Sequence, residues 1–364
     1  MKKKKNGRLG SLLMMLVGAL SGIFAVDFMA ERYDSFFVSI AILSSSMLLG
    51  MYLQIIIHDS GHLLFGLLTG YRFCSFRIGS LMWIRQDGAL RFRRFKLAGT
   101  GGQCLLSPPD WREDFPFIWY NLGGVLCNLI SAVLFFCLSF VCPPLPRFFL
   151  RFSAFLGLAF ALINGLPMRV GPVDNDGKNI LSIRKSPAAR RAFWLQLRVN
   201  AAQAEGLRLR DMPEDCFSVP GDETSESSIV AAVAVLRAQR LMDEHRFDES
   251  AALMEQLCSQ SALPYQSILK IELAFLALLG VGEESVIDAL DSREMQNYMK
   301  AMRNNPSVIR TQYALALLRD HDTAAANKYR AAFDRVAARY PYPAEIENER
   351  ELLALVDQKE KSLA

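Results

Sequence analysis

The sequence predicts a mostly α-helical protein: a multi-span membrane core of helices with a small surface β-sheet, followed by a cytoplasmic α-helical domain. The chain has 364 residues and is 51% hydrophobic, with a mean hydropathy of +0.17. Its apolar residues concentrate before about residue 170, in runs that reach the ~20 residues needed to cross a bilayer. The remainder is rich in Ala, Leu, Glu and Arg at helical spacing, which indicates a helical domain outside the membrane.

Four apolar segments are long enough to be membrane spans. They are residues 12–28, 36–69, 117–141 and 148–168. The first follows a run of lysines and lacks a small-x-small cleavage site, so we interpret residues 1–35 as a basic flank with a retained membrane anchor. Residues 36–185 are then expected to form the membrane-embedded core.

Basic residues near the ends of the spans predict the orientation of the chain. They are abundant before the first span, in the loop at 71–115 and after the fourth span, whereas the opposite loops carry few, such as Arg32 and Arg147. Cytoplasmic loops carry the excess of Lys and Arg in membrane proteins. We therefore expect a multi-pass protein of the cell membrane, in contact with the lipid bilayer, with both termini in the cytoplasm.

The loop at 71–115 has the pattern of a small sheet at the membrane surface. Residues 73–78 and 90–95 alternate apolar with polar side chains, and Gln86-Asp87-Gly88 between them has the chemistry of a hairpin turn. Two roles remain open for this sheet. Its arginines can hold the chain on anionic lipid, or one of its strand edges can pair with an extended substrate peptide.

The chain changes character after residue 185. The prolines and polar residues of 186–228 predict a linker, and residues 229–364 are helical in pattern. Breaks in that pattern fall near His245, Pro264, Asn305 and His321.

Two parts of this last domain repeat one another in the spacing of their residues. One contains Ala238, Leu241, Phe247 and Ser250, and the other contains Ala314, Leu317, Thr323 and Ala326 at the same intervals. This spacing resembles tetratricopeptide-type helix pairs, and a plain helical bundle is the alternative. Stacked helix pairs present a concave face, so we expect residues 229–364 to bind a cytoplasmic protein partner.

The second span contains a histidine pair that can reach one metal ion. His58 and His62 stand four apart, so both imidazoles project from the same face of a helix. Ionisable side chains are costly at membrane depth and usually serve a pathway, a ligand or a metal. The alternative is a pair of polar residues in a helix contact, each satisfied by a hydroxyl or carbonyl of a neighbour.

A catalytic zinc site needs a third protein ligand besides two imidazoles. Asp174 and Asp176, which follow the fourth span, are the candidates. Seven cysteines without paired C-x-x-C spacing do not indicate a thiolate site, and the net charge of +4 does not indicate nucleic-acid binding.

Several motifs resemble the site-2 protease family of intramembrane zinc metalloproteases. His58-Asp59-Ser60-Gly61-His62 is similar to the zinc-protease signature His-Glu-x-x-His. Asn164 to Pro167, followed by Asp176-Gly177, matches the Asn-x-x-Pro and Asp-Gly of that family. Gly123-Gly124 before Asn128 matches its glycine pair and asparagine. The resemblance covers about residues 36–181.

The resemblance implies one Zn²⁺ per chain, held by His58, His62 and Asp176, with Asp59 as the general base. Asn128 and Asn164 would bind substrate or order the site. The implied reaction is hydrolysis of a peptide bond of a membrane protein or membrane-associated peptide near the cytoplasmic face. Asp176 is preferred over Asp174 because it directly precedes glycine.

Asp59 departs from the family pattern, in which the base is glutamate. Either the helix lies closer to the metal and Asp59 still accepts the proton, or catalysis is weak and the protein binds transmembrane segments without cutting them. A displacement of ~1 Å can cost ~100-fold in rate. A metal or proton transporter is a third class, against which the four spans and the absence of internal symmetry argue.

Overall fold

The computed structural model describes residues 36–95, 101–170, 173–218, 227–259 and 265–363, with four isolated positions before residue 36. It is mostly helical and divides into two compact units. The first unit contains Met1–Gly79 and Gly101–Pro187, and the second contains Ser80–Thr100 and Ala188–Ala364. Apart from the isolated positions, the anchor expected at residues 12–28 lies outside the described residues.

The elements are numbered here in chain order. The helices are α1 Phe36–Leu68, α2 Phe117–Ser139, α3 Pro144–Gly165, α4 Asp176–Lys185, α5 Pro187–Ala204, α6 Ser228–Asp243, α7 Phe247–Ser259, α8 Gln266–Leu278, α9 Ser285–Asp288, α10 Arg293–Ala301, α11 Pro306–Ala314, α12 Thr323–Ala337 and α13 Pro343–Leu363. The strands are β1 Arg72–Ile78, β2 Leu81–Gln86, β3 Ala89–Arg94, β4 Gly102–Ser107, β5 Arg169–Val170 and β6 Val173–Asp174. A π-helical turn at Leu315–Arg319 extends α11.

Three helices, α1, α2 and α3, are long and apolar enough to cross a membrane. They fall where the sequence predicts the last three spans. The helix α3 begins at Pro144, a few residues before the span start expected at residue 148. Proline suits the first turn of a helix, since its φ is preset and its missing N–H is not needed there. Crossing of the bilayer and the orientation of the termini remain predictions.

The strands form antiparallel pairs. In the first unit, β1 pairs with β4 from Arg72 opposite Ser107 to Ile78 opposite Gly102. In the second unit, β2 pairs with β3. The sequence predicts only two strands here, and the structure adds β2 and β4. Residues 81–84 are uniformly apolar in sequence, so their alternating burial is hidden from a pattern search.

The turn at Asp87-Gly88 connects β2 to β3. Both residues have positive φ, 51° and 74°, as a type I′ hairpin turn requires. Within the second unit, this hairpin packs on the C-terminal helices. Nε2 of Gln86 donates to the backbone oxygen of Pro341 at 2.7 Å, and the ring of Phe95 contacts that of Tyr340 with centroids 5.4 Å apart.

Much of the segment expected as a linker, 186–228, forms a helix and two short 3₁₀ turns. Residues 187–204 form α5, in which Trp194 and Leu195 are buried. Two short 3₁₀ turns follow, and Met212 and Phe217 of that stretch are also buried. Pro187 starts α5 instead of interrupting a helix, again because a first-turn proline lacks only an unneeded donor. Residues 219–226 lie outside the described residues.

Two helix–turn–helix units share a turn geometry in the second unit. His245 lies between α6 and α7, His321 lies between the π-helical turn and α12, and both have positive φ, 58° and 49°. The small residues expected to recur around these turns are buried. They are Ala238, Ser250, Ala314 and Ala326. A tetratricopeptide arrangement of these helices remains a prediction.

Candidate metal centre

Two histidine side chains lie on one face of α1 and contact each other. The rings of His58 and His62 meet edge to face with centroids 4.7 Å apart. Their Nε2 atoms are 3.1 Å apart. Both side chains are largely buried, with 14% and 12% of their surface exposed. The structure therefore brings the two imidazoles together as the four-residue spacing predicts.

A carboxylate from a distant part of the chain completes the cluster. Asp176 is the first residue of α4. Its Oδ2 lies 3.2 Å from Nε2 of His58 and 3.6 Å from Nε2 of His62. Among the residues that the structure describes, this is the one group of three His, Cys, Asp or Glu residues with ligand atoms close enough to hold a metal, all within 4.8 Å.

The separations of these three atoms fit a tetrahedral metal ion. Ligands ~2.0–2.1 Å from zinc at tetrahedral angles lie about 3.3–3.4 Å from one another. The observed separations of 3.1, 3.2 and 3.6 Å lie on either side of that value. Two imidazole nitrogens and one carboxylate oxygen leave one tetrahedral position open. Catalytic zinc sites have this arrangement, whereas structural zinc sites use four protein ligands.

The hydrogen bonds behind the imidazoles leave the facing atoms without protons. Nδ1 of His62 lies 2.7 Å from the backbone oxygen of Tyr120, which can only accept, so Nδ1 carries the proton. Nδ1 of His58 lies 2.8 Å from Oδ1 of Asn128. Each Nε2 then presents a lone pair. Oδ2 of Asp176 is also buried and has no hydrogen-bond partner in the described part of the chain. Three acceptor atoms thus converge, and a cation is the species that satisfies them.

No family model, curated protein or solved structure matches the chain. The resemblance to the site-2 protease family therefore remains a prediction from the motifs. The possible metal-binding triad, by contrast, is present in the structure.

Asn175 holds Asp176 in place, a role that the sequence analysis does not predict. Its side-chain oxygen accepts from the backbone N–H of Lys178 at 3.0 Å and so caps α4. Its Nδ2 donates to the backbone oxygens of Ile163 and Leu166 at 2.5 and 2.6 Å. The start of α4 is therefore fixed to the end of α3. Gly177 allows this contact, because a methyl group there would overlap the backbone of Gly165.

Glycines allow α1 and α2 to approach at the histidines. A methyl group on Gly61 would overlap the backbone oxygen of Gly123. One on Gly124 would lie 2.5 Å from Cε1 of His58. Small residues of this kind let membrane helices pack backbone to backbone. The glycine pair that the sequence analysis identifies therefore makes room for a candidate ligand.

Asp59 lies beside the three candidate ligands. Its carboxylate interacts electrostatically with His58, His62 and Asp176. Its Oδ2 is buried and has no hydrogen-bond partner among the described residues. This oxygen lies against Gly102, the first residue of β4, where a methyl group would overlap it. An unsatisfied carboxylate oxygen next to a metal-binding cluster is suited to accept a proton from a water molecule.

Arg77 is a buried cation near the same carboxylate. It is 1% exposed, although the sequence analysis places it among the solvated basic residues of the loop. Its guanidinium donates to the backbone oxygens of Gly79 at 2.7 Å and Gly102 at 3.3 Å, and its charge acts favourably on the ionised form of Asp59. One sequence feature could have predicted this burial. In Phe76-Arg77-Ile78 the arginine lies between apolar residues on a strand.

Two other sequence candidates have different surroundings. Oδ1 of Asp174 forms ion pairs with Arg169 at 2.9 Å and with Lys178 at 2.6 Å. Asp174 is therefore engaged outside the triad, and Asp176 is the aspartate that lies within it. Nδ2 of Asn164 donates to the backbone oxygen of Phe160 within α3 at 3.0 Å. The substrate or accessory role of Asn164 remains a prediction.

Proposed function

We propose that the protein is an intramembrane zinc endopeptidase related to the site-2 protease family, which hydrolyses a peptide bond of a membrane protein or membrane-associated peptide near the cytoplasmic face. The observation that carries the proposal is the convergence of Nε2 of His58, Nε2 of His62 and Oδ2 of Asp176. These atoms lie beside the free carboxylate oxygen of Asp59. The two histidines lie on a helix apolar enough to cross a membrane.

The donor set supports zinc as the metal. Calcium and magnesium prefer six or more oxygen ligands, and this cluster offers two nitrogens and one carboxylate oxygen. Neutral imidazole and a carboxylate are common zinc ligands, and three of them leave a position for reaction. A bound zinc ion would supply Lewis acidity and would favour ionisation of water at neutral pH.

The residues of the chain account for the rest of the chemistry. His58, His62 and Asp176 hold the metal and exclude other groups from three of its positions. Asp59 takes the proton from the attacking water and returns it to the leaving amine. The buried guanidinium of Arg77 interacts electrostatically with this carboxylate.

Strand β4 is placed to bind the substrate. A protease binds its substrate in an extended conformation, and an exposed strand edge offers backbone hydrogen bonds for this purpose. In the first unit β4 is paired with β1, and no strand is paired with its other edge among the described residues. Gly102 at the start of β4 lies against Asp59. A peptide paired with β4 would therefore run past the general base.

The remaining partners are proposed from exposed residues. All of β3 is exposed, including Leu90, Phe92 and Arg93, and an apolar and basic surface suits an anionic lipid headgroup region. We propose that the helices of 229–364 bind a cytoplasmic protein. We also propose that α1, α2 and α3 cross the cell membrane, with both termini in the cytoplasm.

A second function has one observation in its favour. Asp59 is one methylene shorter than the glutamate of the resembling family, so a catalytically weak relative that binds transmembrane segments would keep the same metal site. The two functions differ in what Asp59 does. Only the protease requires its carboxylate.

Replacing Asp59 by asparagine tests the proposal. The variant should keep its zinc, because Asp59 is not a ligand, and should lose cleavage of co-expressed membrane proteins by ~100- to 10,000-fold. Zinc is measured by elemental analysis of the purified protein and cleavage by the appearance of fragments. Cleavage by Asp59→Asn at the wild-type rate would exclude Asp59 as the base. Absence of cleavage by the wild type would favour the binding function.

A further inference from the structure

A polar group of side chains lies behind His58, inside the three apolar helices. Gln54 of α1 and Asn128 of α2 are both fully buried. Gln54 precedes His58 by one helical turn, and none of the motifs named in the sequence analysis includes it. Polar side chains are costly to bury at membrane depth unless every polar atom is satisfied.

These side chains form a continuous chain of hydrogen bonds. Nδ2 of Asn128 donates to the backbone oxygen of Gln54 at 3.0 Å and to Oε1 of Gln54 at 2.7 Å. Nε2 of Gln54 donates to the backbone oxygen of Ser153 in α3 at 2.9 Å. Oδ1 of Asn128 faces Nδ1 of His58 at 2.8 Å. The chain thus connects α3, α1 and α2 to one candidate ligand.

Two backbone oxygens fix the direction of every bond in this chain. The oxygen of Ser153 can only accept, so the NH₂ group of Gln54 faces it and Oε1 of Gln54 faces Asn128. Asn128 then meets two acceptors, Oε1 and the backbone oxygen of Gln54, and turns its NH₂ group to both. Its Oδ1 is left to accept from His58, so Nδ1 of His58 carries the proton.

We propose that Gln54 is a positioning residue that sets the tautomer of His58 through Asn128. The proposal rests on the proposed function in one respect, because it assumes that Nε2 of His58 binds the metal. Imidazole in water prefers the opposite tautomer, with the proton on Nε2. The hydrogen-bond chain therefore prepares His58 for a metal ion before the ion arrives, and partners of this kind fix the ring orientation of metal ligands.

The packing of α3 against α1 leaves room for this arrangement. A methyl group on Gly157 would lie 2.9 Å from Nε2 of Gln54 and 3.0 Å from the backbone oxygen of Asn128. Ser153 contributes only its backbone to the chain, since its hydroxyl is buried with no hydrogen-bond partner in the described part of the molecule. Ser153→Ala is therefore a matched control for changes at Gln54.

The tautomer can be measured directly, because the chain has four histidines. His245 and His321 are exposed and have positive φ, so asparagine, which tolerates this conformation, can replace both. Full-length protein labelled with ¹⁵N-histidine and stripped of metal by a chelator is examined by NMR at mildly alkaline pH, where imidazole is neutral. We expect the proton on Nδ1 in both His58 and His62.

Gln54→Leu should change His58 alone. His58 should move toward the Nε2–H tautomer, whereas His62, held by the backbone of Tyr120, should keep its proton on Nδ1. The zinc Kd should rise by ~10- to 100-fold, as for other partners of metal ligands. Ser153→Ala should leave both the tautomer and the Kd unchanged. An unchanged His58 tautomer in Gln54→Leu would overturn the inference.

A second variant covers the case in which Gln54→Leu does not fold. Gly157→Ala keeps every polar atom but pushes on the amide of Gln54, and it should shift His58 in the same direction. An unchanged tautomer there would overturn the inference.

If wild-type protein binds no zinc but His58 keeps its proton on Nδ1, the proposed function fails and the inference stands. If zinc binds but the wild-type proton is on Nε2 of the metal-free His58, the inference fails alone.

Discussion

At the scale of single residues, the proposed base Asp59 is positioned by its contact with strand β4. Oδ2 of Asp59 lies against Gly102 of β4, with no side chain between them. The same strand end receives a hydrogen bond from Arg77. The strand, the arginine and the carboxylate therefore form one packed group, and the position of Asp59 depends on the absence of a Cβ at Gly102.

Gly102→Ala should displace Asp59 and slow cleavage. The added methyl group overlaps Oδ2 of Asp59, and a displacement of ~1 Å can cost ~100-fold in rate. Zinc content should not change, because no ligand is touched. The measurement is the cleavage rate of a co-expressed membrane substrate, together with zinc per chain.

The neighbouring glycine provides the control. A methyl group on Gly101 would meet only the end of the Ile55 side chain, 2.9 Å from its Cδ1, and this side chain can turn away. The Gly101→Ala variant should therefore cleave the substrate at a rate within a few-fold of the wild-type rate. Equal losses in both variants would show that the strand tolerates no change at all, which contradicts a specific contact with Asp59.

The candidate ligands were predictable from the sequence, whereas Gln54 and Asn175 behind them were not. His58 and His62 share a helix, so their spacing alone places them on one face. Gln54 acts through Asn128 and Ser153, which are 74 and 99 residues away. Contacts of that range depend on how helices pack, and one sequence without packing information does not contain them.

At the scale of secondary-structure elements, three helices of the second unit meet at a buried charge cluster. Arg310 of α11 is 1% exposed and forms ion pairs with Glu272 of α8 and Glu349 of α13. Its guanidinium also lies over the ring of Phe275, 3.9 Å from the centroid. Glu345 on α13 accepts a hydrogen bond from the hydroxyl of Tyr340 at 2.9 Å. A buried cluster of this kind fixes helix register and leaves acid groups in low dielectric.

This cluster predicts a pH-dependent stability. Burial raises the pKa of Glu345 to about 7, and the nearby Glu272 adds to the effect, whereas the hydrogen bond from Tyr340 opposes it. The folded state therefore holds a proton that the unfolded state releases above about pH 4.5. The free energy of unfolding should fall as pH rises from about 4.5 to about 7, by on the order of 2–3 kcal/mol.

Thermal or denaturant unfolding of the full chain across this pH range measures the effect. Glu345→Gln should reduce the dependence by about this amount, because a neutral amide has no proton to release, and leave the part due to Glu349, whose pKa burial raises to about 8. Glu347→Gln on the same helix is the control, since Glu347 is exposed, and it should behave as wild type. A dependence that survives Glu345→Gln unchanged would assign it to another group.

Secondary structure was predictable where the apolar pattern is long, and was not predictable where tertiary packing determines the structure. The 33 residues of α1 are predominantly apolar, so the helix was predictable from the length of the apolar run. Strand β4, Gly-Gln-Cys-Leu-Leu-Ser, has no clear alternation and becomes a strand by pairing with β1. In the same way, α5 lies where prolines suggested a linker, because Pro187 serves as a helix start.

At the scale of the whole molecule, the proposal requires α1, α2 and α3 to lie in the membrane. These helices expose large apolar side chains, such as Leu48, Val133 and Leu158. Exposed apolar surface on a helix of this length is suited to lipid contact. The candidate ligands point toward the space between the helices, where Gln54 and Asn128 are fully buried.

Cysteine labelling in intact cells tests the orientation. In a variant without the seven native cysteines, single cysteines near Arg32 and Arg147 should react with an impermeant reagent added outside. Cysteines near Arg93 and Arg240 should react only after the membrane is opened, because the basic loops are expected in the cytoplasm. The reverse labelling pattern would place the proposed peptide-bond cleavage at the other face of the membrane.

The metal content of two matched variants tests the central claim most directly. Asp176→Asn weakens one of three proposed protein ligands, whereas Asp174→Asn changes an aspartate two residues away that is paired with Arg169 and Lys178. We expect about one zinc per chain in wild type and in Asp174→Asn, and little or none in Asp176→Asn, because two imidazoles alone are too few for a tight site. Equal zinc in Asp176→Asn and wild type would contradict the account.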